Sequence, residues 1–235
     1  MTTWIGAPDD TRTGEEAAAA IANVNDSKYF DPAIGVVKVD EERWRKAQAF
    51  ELAGWSKHWE RSTDRNNEHA QHFNNYTAVP SALGHVCEIG CGISTQLQTS
   101  AKNRHISRLT LIDPLINTYK QMKECPYKRG KFNNLPTTIS NHRAEMLKIS
   151  EAFDTIICIN VLEHVMDAIL VLNNIHRALK TGGTLIFGER SWDDFDPLEL
   201  FDVGHPIRLR TTTLQQFREK FIIMYRHTDY FIGKK

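Results

Sequence analysis

The sequence predicts an α/β fold in which a mostly parallel sheet carries helices on both faces, preceded by a helical N-terminal cap. Three observations lead to this prediction. Apolar runs of strand length alternate with helical patterns from residue 85 onward, a glycine turn follows the first run, and an acidic residue closes the second. Such alternation favours a parallel sheet, because a chain that joins two parallel strands must cross over, usually through a helix.

The segment before the sheet divides into a tail and a cap. Residues 1–35 are small, polar and acidic around an alanine run, which predicts a flexible tail with room for a short helix. Residues 36–78 place apolar side chains, including Trp44 and Trp55, at helical spacing. We expect these helices to pack on the open side of the main domain, residues 79–235. They form either a fixed structural cap or a lid that closes over a substrate.

The main domain is expected to hold six apolar runs of strand character and five helices. The runs lie at 85–89, 108–113, 137–141, 153–160, 183–189 and 222–232. The last run is long enough for an antiparallel pair, which brings the sheet to seven strands. The predicted helices lie at 93–102, 116–123, 144–150, 166–179 and 212–220.

Composition argues against several classes of protein. The chain of 235 residues carries 29 basic and 29 acidic side chains, so no net charge attracts nucleic acid. No apolar run reaches the roughly 20 residues of a membrane span, and no signal-peptide pattern opens the chain. Cysteines in predicted core strands are typical of a reduced, cytoplasmic protein. No second cysteine pair follows Cys87 and Cys91, and no carboxylate partner is obvious for His69 and His72, so no metal site is predicted.

The glycine turn and the strand-end acid carry the main functional prediction. The first apolar run stops at Gly90 and Gly92, and a helix expected directly afterwards would add a positive helix end to bare backbone N–H groups. The second run ends in Asp113, and an acid in that place usually accepts from ribose hydroxyls. Glu88, two residues before the first glycine, would repel a pyrophosphate but attract an ammonium group. The pattern therefore indicates an adenosine cofactor with a positive charge.

These motifs resemble those of class I S-adenosylmethionine-dependent methyltransferases. The glycine turn and the acid are followed by FDTIICINVLEHV at 153–165 and LKTGGTL at 179–185, in the order and spacing of that family. The family's third loop glycine is missing, and Ser94 stands at or next to its place. The resemblance covers roughly residues 84–190. It implies a Rossmann-like seven-stranded sheet, S-adenosyl-L-methionine as cofactor, and methyl transfer.

The resemblance also implies which residues bind the cofactor. The glycine turn would surround the methionine part of the cofactor, and the strand-end acid would bind its ribose. Residues 144–145 would lie near the adenine amino group, and residues 160–161 would lie near the sulfonium. Two acidic candidates have an alternative role that does not involve the cofactor. Glu88 would also suit the ordering of the loop, and Glu145 would suit the start of a helix. The candidates are Glu88, Gly90, Gly92, Asp113, Pro114, Ala144, Glu145, Asn160 and Val161.

Three residues are candidates for catalysis. A hydroxyl acceptor needs a general base, and histidine or a carboxylate usually supplies it. His205 is the first choice, because it lies in a long irregular connection, where binding residues concentrate. Glu189 follows the fifth strand. His164 follows the fourth strand, and it would either take part in the chemistry or order its loop.

The sequence thus predicts methyl transfer to an oxygen or nitrogen atom of a small molecule or glycan precursor. Residues 37–48 resemble the start of bacterial methyltransferases linked to surface-polysaccharide synthesis, which is the reason for naming a sugar acceptor. Neither nucleic acid nor a membrane is expected as a partner. The oligomeric state stays open, with a homodimer as the candidate assembly. The alternatives are an RNA or protein methyltransferase and a non-catalytic scaffold of the same fold.

Overall fold

The computed structural model describes residues 26–194 and 203–235. Residues 1–25, which include the short helix expected in the tail, lie outside the described residues. The helices are α1 (Glu41–His58), α2 (Arg61–His72), α3 (Leu97–Ser100), α4 (Ile116–Tyr119), α5 (Ala168–Ala178) and α6 (Thr211–Arg218). The strands are β1 (Gly35–Val36), β2 (Ala82–Ile89), β3 (His105–Ile112), β4 (Lys131–Phe132), β5 (Leu135–Ser140), β6 (Phe153–Ile159), β7 (Leu179–Gly188), β8 (Arg208–Leu209), β9 (Ile222–His227) and β10 (Tyr230–Lys234).

The main sheet has eight strands in the order β4-β5-β3-β2-β6-β7-β10-β9. The five strands from β5 to β7 pair in parallel, and β4, β10 and β9 pair antiparallel at the two edges. The predicted α/β class with a mostly parallel sheet is confirmed. The sheet has one strand more than expected, because Lys131 and Phe132 pair with the start of β5. A separate antiparallel pair joins β1 to β8.

Alternating side chains of the central strands fill two apolar layers, one on each face of the sheet. In β6, Ile156 and Cys158 belong to one layer, while Ile157 and Ile159 belong to the other. Successive side chains of a strand point to opposite faces, so a strand covered on both faces must be apolar throughout. This explains the uninterrupted apolar stretch at residues 156–159 of β6.

The helix expected after the glycine turn is the main difference in secondary structure. We predicted a helix over 93–102, but α3 spans only Leu97–Ser100. Thr95 lies in the left-handed region with φ of 46°, which interrupts a right-handed helix. The segment predicted as a helix at 144–150 contains a single 3₁₀ turn at Ala144–Met146. The positive end of a long helix is therefore absent from the glycine turn as the structure describes it.

The cap is tied to the main domain by buried polar contacts. Asp40 begins α1 by accepting a hydrogen bond from the Arg43 N–H at 2.8 Å. The Arg43 side chain pairs with Asp26 at 2.7 Å, and Arg208, next to β1, pairs with the same carboxylate at 2.7 Å. The three side chains are almost fully buried. The start of α1 is thus held by a structural ion-pair cluster.

No helix within the described residues combines the length and the apolar character that crossing a bilayer requires. The four cysteines are buried and free of disulfides.

Candidate active site

A cavity opens at the carboxyl ends of β2, β3 and β6 and is covered by α1 and α2. Ligands bind at this edge of parallel sheets because the connecting loops diverge there. The glycine turn and the strand-end acid form one wall, and the cap forms the facing wall. The cap contributes Trp44, Gln48, Glu51, Trp55, Ser62, Arg65, Asn66 and His69 to the lining.

The two glycines of the turn have different roles. Gly90 has φ of 65°, and a Cβ there would lie 2.4 Å from Val161 Cγ2. Gly92 has φ of 55°, and a Cβ there would meet no atom within 4 Å. Close packing against the 160–161 loop therefore requires glycine at 90. Glycine at 92 leaves bare backbone facing open space in the cavity wall.

Asp113 lies where the sequence predicts it, at the end of β3 and in the cavity wall. Its Oδ2 accepts from the Gly92 N–H at 3.0 Å and its Oδ1 from the Leu115 N–H at 2.8 Å. Burial raises the pKa of this carboxyl to about 6. Each oxygen keeps a second acceptor position, so the fixed carboxylate has acceptors left for a ligand's hydroxyl groups.

Glu88 does not line the cavity. Its buried carboxyl accepts from the Thr95 hydroxyl and, at 2.7 Å, from the Gln96 N–H. Burial raises its pKa to about 8. The carboxyl thus orders the loop, as in the second role that the sequence allowed. Gln96 itself lines the cavity, and its Oε1 is buried with no hydrogen-bond partner among the described residues.

The other cofactor-binding candidates all line the cavity. Glu145 Oε1 accepts from the backbone N–H groups of Met166 and Asp167 at 2.7 and 3.1 Å, so this acid also fixes the segment before α5. Asn160 has a left-handed backbone with φ of 56°. With its carboxamide oriented to suit both neighbours, its oxygen accepts from Arg65 at 2.9 Å and its nitrogen donates to Glu163 at 3.1 Å. The cavity-lining candidates are Gly90, Gly92, Asp113, Pro114, Ala144, Glu145, Asn160 and Val161.

Of the three catalytic candidates, the cavity lining includes His164 alone. Glu189 is buried behind the loop that follows β6, and its Oε2 accepts from the Val161 and Leu162 N–H groups at 3.1 and 2.6 Å. Burial and the charge of Glu163 raise the pKa of Glu189 to about 8. Glu189 is therefore placed as a positioning residue that holds the loop after β6. His205 is also buried, with its ring 4.8 Å from the His164 ring.

The sequence matches a known domain family over its central part. Residues 87–185 match the family described as "Methyltransferase domain". This stretch begins within β2, ends within β7 and contains the strand-end residues of the cavity. Over these residues the chain matches a methyltransferase domain, in agreement with the class I S-adenosylmethionine-dependent family that its motifs resemble.

Solved structures of other methyltransferases share the fold. The N-methyltransferase NodS from Bradyrhizobium japonicum WM9, in complex with S-adenosyl-L-homocysteine, is 20% identical with a TM-score of 0.59, covering 83% of this chain and 99% of that chain. A candidate methyltransferase from Methanococcus maripaludis is 14% identical with a TM-score of 0.50, covering 84% and 96%. No curated protein matches the sequence.

The residues of this methyltransferase fit its cofactor, S-adenosylmethionine. Asp113 offers fixed acceptors for the ribose hydroxyls, and Gly92 leaves open space beside bare backbone. Gln96 Oε1, buried without a partner, suits the ammonium group that the sequence assigned to Glu88. The Arg65 guanidinium, which the sequence did not single out, lies in the same lining and suits the cofactor's carboxylate.

Besides Gln96, the residues that sequence reasoning missed belong to the cap. Trp44 Nε1 and Gln48 Nε2 both donate to the His164 carbonyl, at 3.1 and 2.9 Å. Asn66 Nδ2 donates to the Thr95 carbonyl at 2.9 Å. The tryptophan spacing predicted a cap, but no local pattern marks Gln48 or Asn66 as partners of these loops.

Proposed function

We propose that this methyltransferase transfers a methyl group to an oxygen or nitrogen atom of a small molecule or glycan precursor. The observation that carries the proposal is the shape of the cavity, which is bounded by the glycine turn on one side and by the cap on the other. The cap wall combines the aromatic faces of Trp44 and Trp55 with the carboxylate of Glu51. Such a space suits a compact acceptor with polar substituents.

The chemistry needs alignment more than it needs acid–base groups. When bound, S-adenosylmethionine supplies a methyl group on a positively charged sulfur that is already a good leaving group. An acceptor lone pair forms the new bond to carbon, the electron pair of the broken S–C bond stays on sulfur, and the acceptor's proton is released to a base or to solvent. The chain's contribution is to hold the acceptor in line and to exclude water.

The cap contacts described above support that role. Two side chains of α1 donate to the His164 carbonyl, so α1 and the loop after β6 are fixed relative to each other. Arg65 lies over the Trp55 ring with its guanidinium carbon 5.5 Å from the ring centroid, and it also reaches Asn160. The cap therefore joins the wall that would contact the acceptor to the strand ends that would contact the cofactor.

The experiments below also distinguish a nitrogen acceptor from an oxygen acceptor, and an RNA acceptor from a small molecule. NodS is an N-methyltransferase, which supports a nitrogen acceptor by fold likeness alone. An equal number of acidic and basic residues does not favour an RNA acceptor. A homodimer stays a prediction that light scattering on the purified chain would test.

The first experiment is calorimetric titration with S-adenosylmethionine and S-adenosylhomocysteine. We expect micromolar binding by the wild-type chain and at least tenfold weaker binding by Asp113→Ala, because the ribose loses both acceptors. Asp64→Ala is the matched control, since Asp64 is an exposed acid outside the cavity lining. No binding by folded wild-type protein would contradict the cofactor assignment.

Acceptors are then screened with methyl-labelled cofactor against small alcohols, amines, nucleotide-sugars, RNA and peptides. Label on a small alcohol, amine or sugar supports the proposal. Label confined to RNA or peptide contradicts it. Cofactor binding without transfer of label to any acceptor favours the alternative of a non-catalytic scaffold protein of the same fold.

A further inference from the structure

We propose that Glu51, Glu163, His164 and His205 bind one divalent transition-metal ion at the acceptor end of the cavity. Sequence reasoning predicted no metal site, because these residues lie in three distant segments. The fold brings together α1, the 3₁₀ turn after β6, and the segment before β8. Ligand atoms of Glu51, His164 and His205 all lie within 4.8 Å of one another.

The separations between the side-chain atoms suit a single ion. Glu51 Oε1 lies 3.1 Å from His164 Nε2. Glu163 Oε1 lies 3.6 Å from His164 Nε2 and 3.4 Å from His205 Nε2. Ligands bound at about 2.0–2.2 Å from one ion lie roughly 3.0–3.6 Å from their neighbours. Glu51, His164 and His205 can therefore reach a common ion with small rotations, and Glu163 Oε1 lies beside both imidazoles.

The tautomer of His164 points the same way. Its Nδ1 lies 3.0 Å from the Gly204 carbonyl oxygen, which can only accept, so Nδ1 carries a hydrogen. In a neutral ring the lone pair on Nε2 then faces the Glu51 carboxylate. That contact needs either a second proton or a cation between the two atoms. A metal-binding histidine usually donates one ring N–H to a carbonyl or carboxylate, as Nδ1 of His164 does, and keeps the other nitrogen for the ion.

Glu163 provides an independent observation. This side chain is 2% exposed, and its Oε2 has no hydrogen-bond partner among the described residues. Burying a carboxylate is costly unless its charge is compensated. Glu51 adds a second carboxylate, while the nearby Arg65 side chain reaches Asn160. A divalent cation would compensate both carboxylates at once.

The ligand set indicates the class of metal. Two imidazole nitrogens with two carboxylate oxygens suit Mn²⁺, Fe²⁺, Co²⁺ or Zn²⁺ better than Mg²⁺ or Ca²⁺, which prefer oxygen alone. Glu51 and His164 line the cavity, so an open coordination position would face the acceptor.

The role of the ion rests on the function proposed above and narrows it to hydroxyl acceptors. An acceptor hydroxyl bound to the ion would lose its proton to solvent more readily than a free one. The oxygen lone pair then bonds to the methyl carbon, and the S–C electron pair stays on sulfur.

The test is a titration of the EDTA-treated chain with Mn²⁺, followed by electron paramagnetic resonance, and separately with Zn²⁺, followed by calorimetry. We expect one ion per wild-type chain and at least tenfold weaker binding by Glu51→Gln and by His205→Gln. His105→Ala is the matched control, because His105 is exposed and outside the cavity lining. Glu51 lies nearer the surface than His205, so Glu51→Gln keeps the test decisive if His205→Gln unfolds.

The proposal is overturned if neither metal binds the wild-type chain at about one per chain, or if Glu51→Gln binds as tightly as wild type. S-adenosylmethionine is titrated into the same samples. Cofactor binding without metal binding contradicts only the metal site, whereas loss of cofactor binding contradicts the proposed function.

Discussion

The two walls of the cavity are built in different ways. The cofactor wall consists of backbone and strand-end residues, such as Gly92 and Asp113, which come from neighbouring strands and bond to each other directly. The acceptor wall consists of side chains, such as Glu51 and His164, which come from segments far apart in sequence. The first wall depends mainly on the sheet, with Asn66 of the cap donating to the loop of the glycine turn. The second depends on how the cap is held against the sheet.

The largest expected loss of stability comes from removing Asp26, which holds the cap that carries the acceptor wall. Asp26→Ala leaves Arg43 and Arg208 buried without their shared carboxylate, and loss of one partner of a buried pair costs about 3–5 kcal/mol. We expect a drop of that size in the free energy of unfolding, measured by urea denaturation. Asp64→Ala, which removes an exposed acid, should change it by less than about 0.5 kcal/mol. Equal losses in both variants would contradict the cluster's role.

A pair of substitutions in the cofactor wall separates packing from binding. Gly90→Ala pushes a Cβ against Val161 and should cost about 2–4 kcal/mol of stability. Gly92→Ala meets open space and should cost only about 1–2 kcal/mol, from its left-handed backbone. Its affinity for S-adenosylmethionine should nevertheless fall at least tenfold, because the methyl group occupies the ligand's side of the wall. Thermal unfolding and calorimetry measure the two effects, and unchanged affinity in Gly92→Ala would place the cofactor elsewhere.

The pH dependence of stability tests Glu88, the buried acid that orders the loop behind the cofactor wall. The folded chain holds the proton of Glu88 up to a pKa of about 8, whereas the unfolded chain loses it near 4.5. Between these values the folded state binds more protons, so stability falls as pH rises. Glu88→Gln should remove on the order of 1–3 kcal/mol of this decline, seen as a smaller drop in Tm between pH 5 and pH 8. Parallel Tm curves for the two proteins would show that Glu88 is ionised when folded.

The smallest expected effect concerns one hydrogen bond between the walls. Trp44→Phe removes a single donor to the His164 carbonyl, which also accepts from Gln48. We expect about 0.5–1.5 kcal/mol of lost stability and a higher KM for the acceptor, with the Kd for S-adenosylmethionine within twofold of wild type. A Kd that rises as much as the KM would show that the two walls are not separable.

The sequence allowed the cofactor wall to be predicted because its residues follow strand ends in a fixed order. Gly90, Gly92 and Asp113 stand in the cavity wall as expected. Glu88 was placed by its position in a motif, yet its contact with Thr95 depends on a loop conformation that no local pattern reveals. The acceptor wall was less accessible. The helical spacing around Trp44 predicted a cap, but it did not indicate that Glu51 faces His164 or that His205 approaches Glu163.

The buried carboxylate of Asp26 has a consequence for engineering the enzyme. Arg43 belongs to α1 and donates to the Val203 carbonyl, while Arg208 closes the segment that carries His205. A chimera that exchanged α1 alone with a relative would leave mismatched charges in the interior. A chimera with a new acceptor specificity should therefore exchange the segment around Asp26, α1 and residues 203–209 together. The glycine turn and the parallel strands of this chain are kept.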